Sequence, residues 1–591
     1  MFQSFEVTAR PEQGPPRLEA LRRELDAAGL DGFLIPRADA HQGEYVSARD
    51  ERLAWLTGFT GSAGFCAALR DIAGVFIDGR YRTQVKHQVT DVYTPVPWPD
   101  TGLADWLKTQ LPEGGTVGFD PWLHTAGQVE ALRDALTPAG ITLAPGPNLV
   151  DRIWPDQPGP AAAAAVAHPL DFAGEAHGDK RARLARTLEG AAIITLPDSL
   201  CWLLNIRGAD IPRNPIAQGF AILHHDASVD LFMAPAKLEE LAGHLGPEVR
   251  VHDPARFLDA VAAYQGPALM DKGSVPFIVA EAAAQPVWGA DPCAIPKACK
   301  NPAEIAGSAA AHLRDAAAVV ETLAWLDTQT PGTLRETEVV TRLESHRRAD
   351  NALRDISFET IAGTGPNGAI MHYRVTTETD STLQDGHLLV LDSGGQYLDG
   401  TTDITRTVPI GTPPEEAQIA FTRVLEGMIA VSRLNWPVGL AGRDIEAIGR
   451  APLWYAHQDF DHGLGHGVGA YLSVHEGPQR LSRMSTVPLQ PGMILSNEPG
   501  YYREGAFGIR IENLIVVQEA EAPQGGDAHR DMLSWRTLTF VPIDRRLILP
   551  GLLPAASRAW LNAYHAETLE KIRPRVSEAA QAWLDKACAP L

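Results

Sequence analysis

The chain has little cysteine, no dense basic run and no long apolar run. Five cysteines (Cys66, Cys201, Cys293, Cys299 and Cys588) among 591 residues are odd in number and form no CxxC pair. That argues against a disulfide framework and points to free thiols in a reducing compartment, the cytoplasm. The longest bland run, AAAAAVA, falls far short of the roughly 20 apolar residues of a membrane span. The opening MFQSFEVTARPEQGPP lacks the basic and apolar regions of a secretory signal. With a net charge of -22 and no lysine-rich or arginine-rich stretch to offset it, the surface repels nucleic acid and anionic membrane. No GxGxxG or P-loop sequence follows a strand-like run, so a nucleotide loop is not indicated. TGFTGSAG is Gly-rich without a lysine and reads as a turn.

What is present is ordinary in bulk. Hydrophobic content of 45% and charged content of 21% are those of a globular protein, and 591 residues exceed what one core organises. A Pro/Ala-rich stretch at 154–178 reads as a linker, and a second break falls at DPCAIPKACKNPAE, 291–304. The pieces are therefore 1–160, 161–303 and 304–591. The first two resemble each other. Each starts with a basic amphipathic helix (RLEALRRELDAAGLD, KRARLARTLEG) and a short apolar strand (GFLIP, AAIITLP) followed by Asp39 or Asp198. Each continues with a tryptophan-centred segment (LAWLTGFTGS, LCWLLNIRGAD) and further strand-like runs (AGVFIDGRY, VDLFMAP). This predicts two α/β domains related by duplication, with two unrelated α/β domains as the plain alternative. The third piece opens with helical patterns and turns after 357 into short strands and Gly-rich turns, with one helix near 414–433. It closes on the helical RAWLNAYHAETLEKIRP. That order predicts an α+β domain with a curved antiparallel sheet under helices.

The chemistry concentrates in the third piece. LDSGGQYLDGTTDITRT follows an apolar strand and carries Asp392 and Asp403. Its glycines and threonines disfavour a helix. A hairpin centred between Tyr397 and Leu398 would set the two carboxylates opposite each other, with Cβ atoms about 5 Å apart. For this segment alone, a solvated polar hairpin is the plain alternative. DHGLGHGVGAYLSVHEGP adds His462, His466 and His475 among glycines. The spacing of the first two also occurs in helical zinc sites, but glycine at every second position indicates extended chain. MILSNEPGYY places Glu498 after an apolar strand, and FGIRIENLIVV alternates Arg510 and Glu512 with isoleucines, which would put both on one strand face. Asp392, Asp403, His466, Glu498 and Glu512 together would gather four carboxylates, which two divalent cations would neutralise. Oxygen ligands with one imidazole suit manganese, with cobalt or zinc as alternatives.

These segments, with GIRIEN, resemble the metal-binding signature of the pita-bread metallopeptidases, the superfamily of methionine aminopeptidase, prolidase, creatinase and aminopeptidase P. SFETIAGTGPNGAIMHY at 357–373, and TFVPIDRRLI followed by LNAYH, resemble the long, three-domain aminopeptidase P (Xaa-Pro aminopeptidase) family, so the likeness spans essentially the whole chain. It implies a pita-bread catalytic domain at the C-terminus, preceded by two similar α/β creatinase-like domains. It implies Asp392 on one metal, His466 and Glu498 on the other, and Asp403 and Glu512 bridging. His372, His462 and His475 would be non-ligand histidines that place substrate and stabilise charge, with Arg510 in support and Glu498 also the base. The family's long forms often carry threonine where this chain has Leu464, a change expected to alter packing near the substrate.

The implied reaction is hydrolysis of the bond between an N-terminal residue and a following proline, by a hydroxide held between two metals, in a homodimer. Prolidase, acting on Xaa-Pro dipeptides, is the nearest alternative. Creatinase uses this scaffold without metal, whereas here all five ligand positions are filled, and methionine aminopeptidase generally lacks the large N-terminal domains. A non-catalytic protein on the same scaffold, as in some histone chaperones, would be expected to lose ligands.

Overall fold

In a computed structural model, which describes residues 1–527 and 529–591, the repeated N-terminal pattern folds into two six-stranded sheets. One begins with Gly32–Pro36 and the other with Ala191–Ile194. Counting strands along the chain within each sheet, both have the spatial order 4-3-2-1-5-6. In both, pairs 1-2 and 2-3 are antiparallel, and pairs 3-4, 1-5 and 5-6 are parallel. One order and one set of strand senses, shared across six strands, favour copies over unrelated domains. The amphipathic segments ahead of the sheets are helices, Gly14–Ala28 and His177–Ala185, the first burying Leu18, Leu21 and Leu25.

The Pro/Ala-rich stretch is not a free linker. Val166–Ala167 pair with Ile206–Arg207, and the Ala165 amide donates to the Lys237 carbonyl at 2.8 Å. Asp210, ion-paired with Lys237 at 2.6 Å, accepts from the Ala163 amide. The chain forms two compact units. One is Thr8–Leu170 with Glu175–Ala294, and the other is Met1–Val7, Asp171–Gly174 and Ile295–Leu591. The N-terminal residues join the latter because the Phe2 and Gln3 amides donate to the buried Glu344 carboxylate.

That latter unit carries helices α1 (Pro302–Leu326), α2 (Glu336–Arg348), α3 (Glu415–Ser432), α4 (Gly442–Trp454) and α5 (Ala555–Ile572). Asn301 caps α1 in a reciprocal capping box with Glu304. Helix α4 was not anticipated, because Gly442, Gly449 and Pro452 mask its period, yet it buries Ile445 and Leu453. The strands that bear on the site include β1 (Ile361–Thr364), β2 (Leu388–Ser393), β3 (Gly395–Tyr397), β4 (Gly400–Thr401), β5 (Ile404–Pro409) and β6 (Gly465–Gly467). They continue as β7 (Glu476–Leu481), β8 (Ile494–Asn497), β9 (Gly500–Arg503), β10 (Phe507–Arg510), β11 (Asn513–Glu519) and β12 (Met532–Thr537). Their pairings are antiparallel. Two sheets matter most here: β1–β2–β5, and a larger one in which β12, β11, β8, β6 and β7 are neighbours.

The C-terminal TFVPIDRRLI is pinned by α5 and passes through a short 3-10 helix at Arg545–Leu547. Tyr564 Oη donates to the carbonyls of Thr539 and Val541 and accepts from the Val541 amide. His565 Nε2 accepts from the Ile543 amide at 3.1 Å. Burial, followed by repulsion from Arg406, pushes the His565 pKa from 6.5 down to about 3. The folded state keeps this ring neutral, whereas the unfolded chain protonates it near its ordinary pKa. Its contribution is complete above pH 6.5 and is lost as pH falls toward the folded value, about 2 kcal/mol by pH 5. The drop in melting temperature between pH 7 and pH 5 is therefore expected to be smaller in His565→Gln than in wild type. Equal drops would refute the assignment.

Candidate metal centre

Strand β2 is buried on both faces, as its unbroken LLVL predicts, and it ends by carrying Asp392 and Ser393. The register differs from the expected one. Asp392 faces Thr405, Gln396 faces Thr401 and Tyr397 faces Gly400. The turn is therefore Leu398–Asp399, one position later than sequence symmetry about Tyr397 and Leu398 suggests. Arg314 on α1 holds the Asp399 side chain at 2.5 Å and so fixes the turn. Because Thr405 lies two residues after Asp403, alternation still keeps Asp392 and Asp403 on one face, as diagonal rather than direct neighbours.

Glycines bring the histidine strand close to its neighbours. A Cβ on Gly465 would stand 1.9 Å from the Ser496 carbonyl oxygen, and one on Gly467 would stand 2.3 Å from that of Glu476. Between them sits His466. Its Nδ1 donates to the Gly467 carbonyl at 2.9 Å, the tautomer that leaves the Nε2 lone pair free. Nε2 lies 3.4 Å from Glu498 Oε1 and 3.5 Å from Asp403 Oδ2. Ser496 Oγ accepts from the His466 amide and donates to Glu498 Oε1, tying strand to carboxylate.

Glu512 does not share a strand with Arg510, contrary to the alternation. Strand β10 ends at Arg510 and β11 begins at Asn513, and the Glu512 amide turns to the Thr405 carbonyl. The break still leaves both side chains serving one centre. Thr405 Oγ1 donates to Glu512 Oε2 at 2.8 Å. Arg510 donates through Nε and Nη2 to Asp392 Oδ2, and through Nη1 to Tyr502 Oη. Ligand atoms of Asp403, His466 and Glu512 lie within 4.8 Å of one another.

The other histidines sit around this group. The His475 ring packs edge-on against His466, centroids 4.3 Å apart. His462 Nδ1 contacts the Gly463 carbonyl and Nε2 contacts Tyr502 Oη at 2.9 Å. His372 follows Met371, whose carbonyl accepts from Arg510 Nη2. Leu464 is fully buried against the position of Gly449 on α4, and its carbonyl accepts from the Glu498 amide. Sequence reasoning missed Tyr502, Thr405 and Ser496. Thr405 and Ser496 each stand two residues from a carboxylate, Asp403 just ahead of β5 and Glu498 just past β8, and that spacing was the available signal.

Electrostatically the centre is unsatisfied by protein alone. Burial, then repulsion from Asp392 and Glu498, pushes the Asp403 carboxyl well above its usual range. Glu512 is pushed the same way by burial and then by Asp403, Glu498 and Asp392. Burial raises Glu498 as well, against the pull of His466 and Arg510. Asp392 Oδ1, Asp403 Oδ1 and Glu512 Oε1 are buried without a hydrogen-bond partner. Three donorless carboxylate oxygens beside a free imidazole nitrogen fit divalent cations.

Comparison with known proteins agrees. Residues 306–519 match the model of metallopeptidase family M24, and 531–591 match the C-terminal region of peptidase M24. Residues 17–153 and 156–304 match Creatinase/Prolidase N-terminal domains. Aminopeptidase P2 of Arabidopsis thaliana is 36% identical, covering 97% of this chain and 88% of that protein. A probable Xaa-Pro aminopeptidase P of Talaromyces marneffei is 37% identical, covering 97% and 92%. The chain belongs to metallopeptidase family M24. Among solved structures, the X-prolyl aminopeptidase of Caenorhabditis elegans, described as a cytosolic enzyme with a di-nuclear active site, superimposes with a TM-score of 0.93. It is 31% identical, covering 98% of this M24 chain and 100% of that one.

Protons and cations compete for the same oxygens in this M24 centre. Raised carboxyl pKa values mean that the metal-free fold holds protons the unfolded chain has released. The stability from those protons is full at pH values below the ordinary carboxylate range and is lost as pH rises through the raised values. Cations remove that loss. The gain in melting temperature on adding manganese to chelated protein should therefore grow from pH 5 to pH 7.5. A gain that is flat or larger at pH 5 would contradict the assignment.

Proposed function

We propose that this chain is a two-metal aminopeptidase that hydrolyses the bond between an N-terminal residue and a penultimate proline. The carrying observation is the buried acid cluster around His466, in a chain that aligns end to end with proteins named aminopeptidase P. Asp392 would hold one cation, His466 and Glu498 the other, and Asp403 and Glu512 both, with manganese as the assigned metal. When bound, such cations supply Lewis acidity and make water acidic enough to ionise near neutral pH.

The chain's own groups do the rest. Arg510 neutralises Asp392 through Oδ2 and leaves Oδ1 for a cation. Glu498, with its proton affinity raised by burial, takes a proton from the attacking water and delivers it to the prolyl nitrogen. That delivery is required because the nitrogen of an Xaa-Pro bond carries no hydrogen and departs only as an amine. Both ring nitrogens of His462 are engaged, at Gly463 and Tyr502, so we assign it to orienting Tyr502 and Arg510. His372 and His475 are assigned to the substrate carbonyl, where a donor aimed at developing negative charge is worth several kcal/mol.

The same reading carries the three domains 1–160, 161–303 and 304–591, a reducing compartment that suits five free cysteines, and a homodimer. Among the described residues no helix is long and apolar enough to cross a membrane. Trp454 and Tyr455 stand 42% and 88% exposed at the end of α4 and offer an apolar surface for a second copy.

Chelation should abolish activity, and two manganese ions per chain should restore it. Asp392→Ala and Glu512→Ala should each lower kcat/KM by at least about 1000-fold while the fold is retained. Cleavage of Xaa-Pro-Pro peptides over Xaa-Pro dipeptides is expected, and a preference for dipeptides would turn the assignment to prolidase. Sedimentation should show twice the 63.8 kDa chain mass, falling to a monomer in Trp454→Glu/Tyr455→Asp.

A further inference from the structure

Behind the Asp392–Asp403 hairpin lies a second charged group that the chemistry does not use directly. Asp315 on α1 and Arg347 on α2 are 0% and 2% exposed. Arg347 Nε and Nη2 donate to Asp315 Oδ1 and Oδ2 at 2.6 and 3.1 Å. The same carboxylate accepts from Tyr397 Oη at 3.0 Å and from Thr402 Oγ1 at 2.6 Å. Arg347 Nη2 also donates to Ser393 Oγ at 3.0 Å, and Thr402 Oγ1 accepts from the Gly395 amide at 2.8 Å.

Ser393 directly follows Asp392, and Thr402 directly precedes Asp403. The pair therefore grips both ends of the turn at the residues next to the two carboxylates, and grips its middle through Tyr397. A buried ion pair is a poor device for stability alone, because apolar residues of similar volume often serve as well or better. Fixed direction is what it adds: Arg347, Tyr397 and Thr402 converge on one rigid carboxylate, the last two from the hairpin itself, while Arg347 also reaches Ser393 at the hairpin's other end. We propose that Asp315 and Arg347 are positioning residues that set the placement of Asp392 relative to Asp403, and so the affinity for the second of two cations. This rests on the assignment of those two aspartates as ligands.

The test is calorimetric titration of metal-free protein with manganese, alongside melting of the same metal-free samples. Three variants are compared with wild type: Thr402→Val, Tyr397→Phe, and the double replacement Asp315→Leu/Arg347→Met. Each is expected to bind one of the two ions roughly 10–100-fold more weakly, the usual consequence of losing a partner that orients a ligand. kcat should fall while KM changes little. Lower melting with both affinities unchanged would reduce the group to a structural brace and overturn the proposal, as would no change in either. If the double variant fails to fold, Thr402→Val and Tyr397→Phe decide. Fewer than two ions on wild type would instead refute the ligand assignment. Two ions on wild type with equally tight binding by the variants would refute only the positioning role.

Discussion

Repulsion among Asp392, Asp403, Glu498 and Glu512 is the constraint that orders this half of the molecule. Two like charges 4 Å apart repel by about 4 kcal/mol at the effective dielectric of a protein site, and three of these four carboxylates are buried. The fold meets the problem from one side only. Arg510 covers one oxygen of Asp392, Thr405 one of Glu512 and Ser496 one of Glu498. Each contact holds a carboxylate in place by one oxygen while the uncovered oxygens of Asp392, Asp403 and Glu512 turn inward without donors. A site built to neutralise its acids would not stop halfway. One built to orient them for cations would.

Strand geometry makes that economical. Side chains two apart in extended chain share a face, so Ser496 at the end of β8 supports Glu498 just beyond it, and Asp403, just ahead of β5, stays beside Asp392. Close approach of the strands then depends on glycine at 465 and 467, because a Cβ at either would collide with a neighbouring carbonyl. The repeated glycines among histidines are thus a packing requirement first, and the exposure of the His466 Nε2 edge follows from it.

Much of this could be read from residues alone, and the failures have identifiable causes. The two matching N-terminal domains, the buried strand before Asp392 and the clustering of four carboxylates with His466 all leave local signals of composition and period. The hairpin register did not, because its turn is set by Arg314 reaching from a helix 85 positions away. The break between Arg510 and Glu512 escaped as well. The alternation IRIEN is the pattern of a continuous strand, and it is interrupted where the Ile511 amide turns to the Pro499 carbonyl and the Glu512 amide to that of Thr405. Helix α4 was hidden by its own glycines and proline, residues its packing tolerates but its propensity does not suggest. Tertiary partners overrode local rules at each of these places, two of them at the centre itself.

Arg406 shows the same logic on a larger scale. It is 1% exposed, and its partners are all neutral: the carbonyls of Thr405, Glu512, Val541 and Pro542, the Asn513 amide oxygen and the Tyr564 hydroxyl. Burial of a guanidinium without a carboxylate partner is costly, and burial lowers its pKa, so its six neutral acceptors must supply the compensation. Arg406 grips the backbone of Thr405 and Glu512 from behind while their side chains face the cluster. Three of its acceptors come from the 539–565 segment, held in turn by Tyr564 and His565. The C-terminal extension is therefore a condition for burying this cation. Without those carbonyls and that hydroxyl, the positive charge behind Glu512 would need water, and water there would loosen the backbone that carries Asp403 and Glu512.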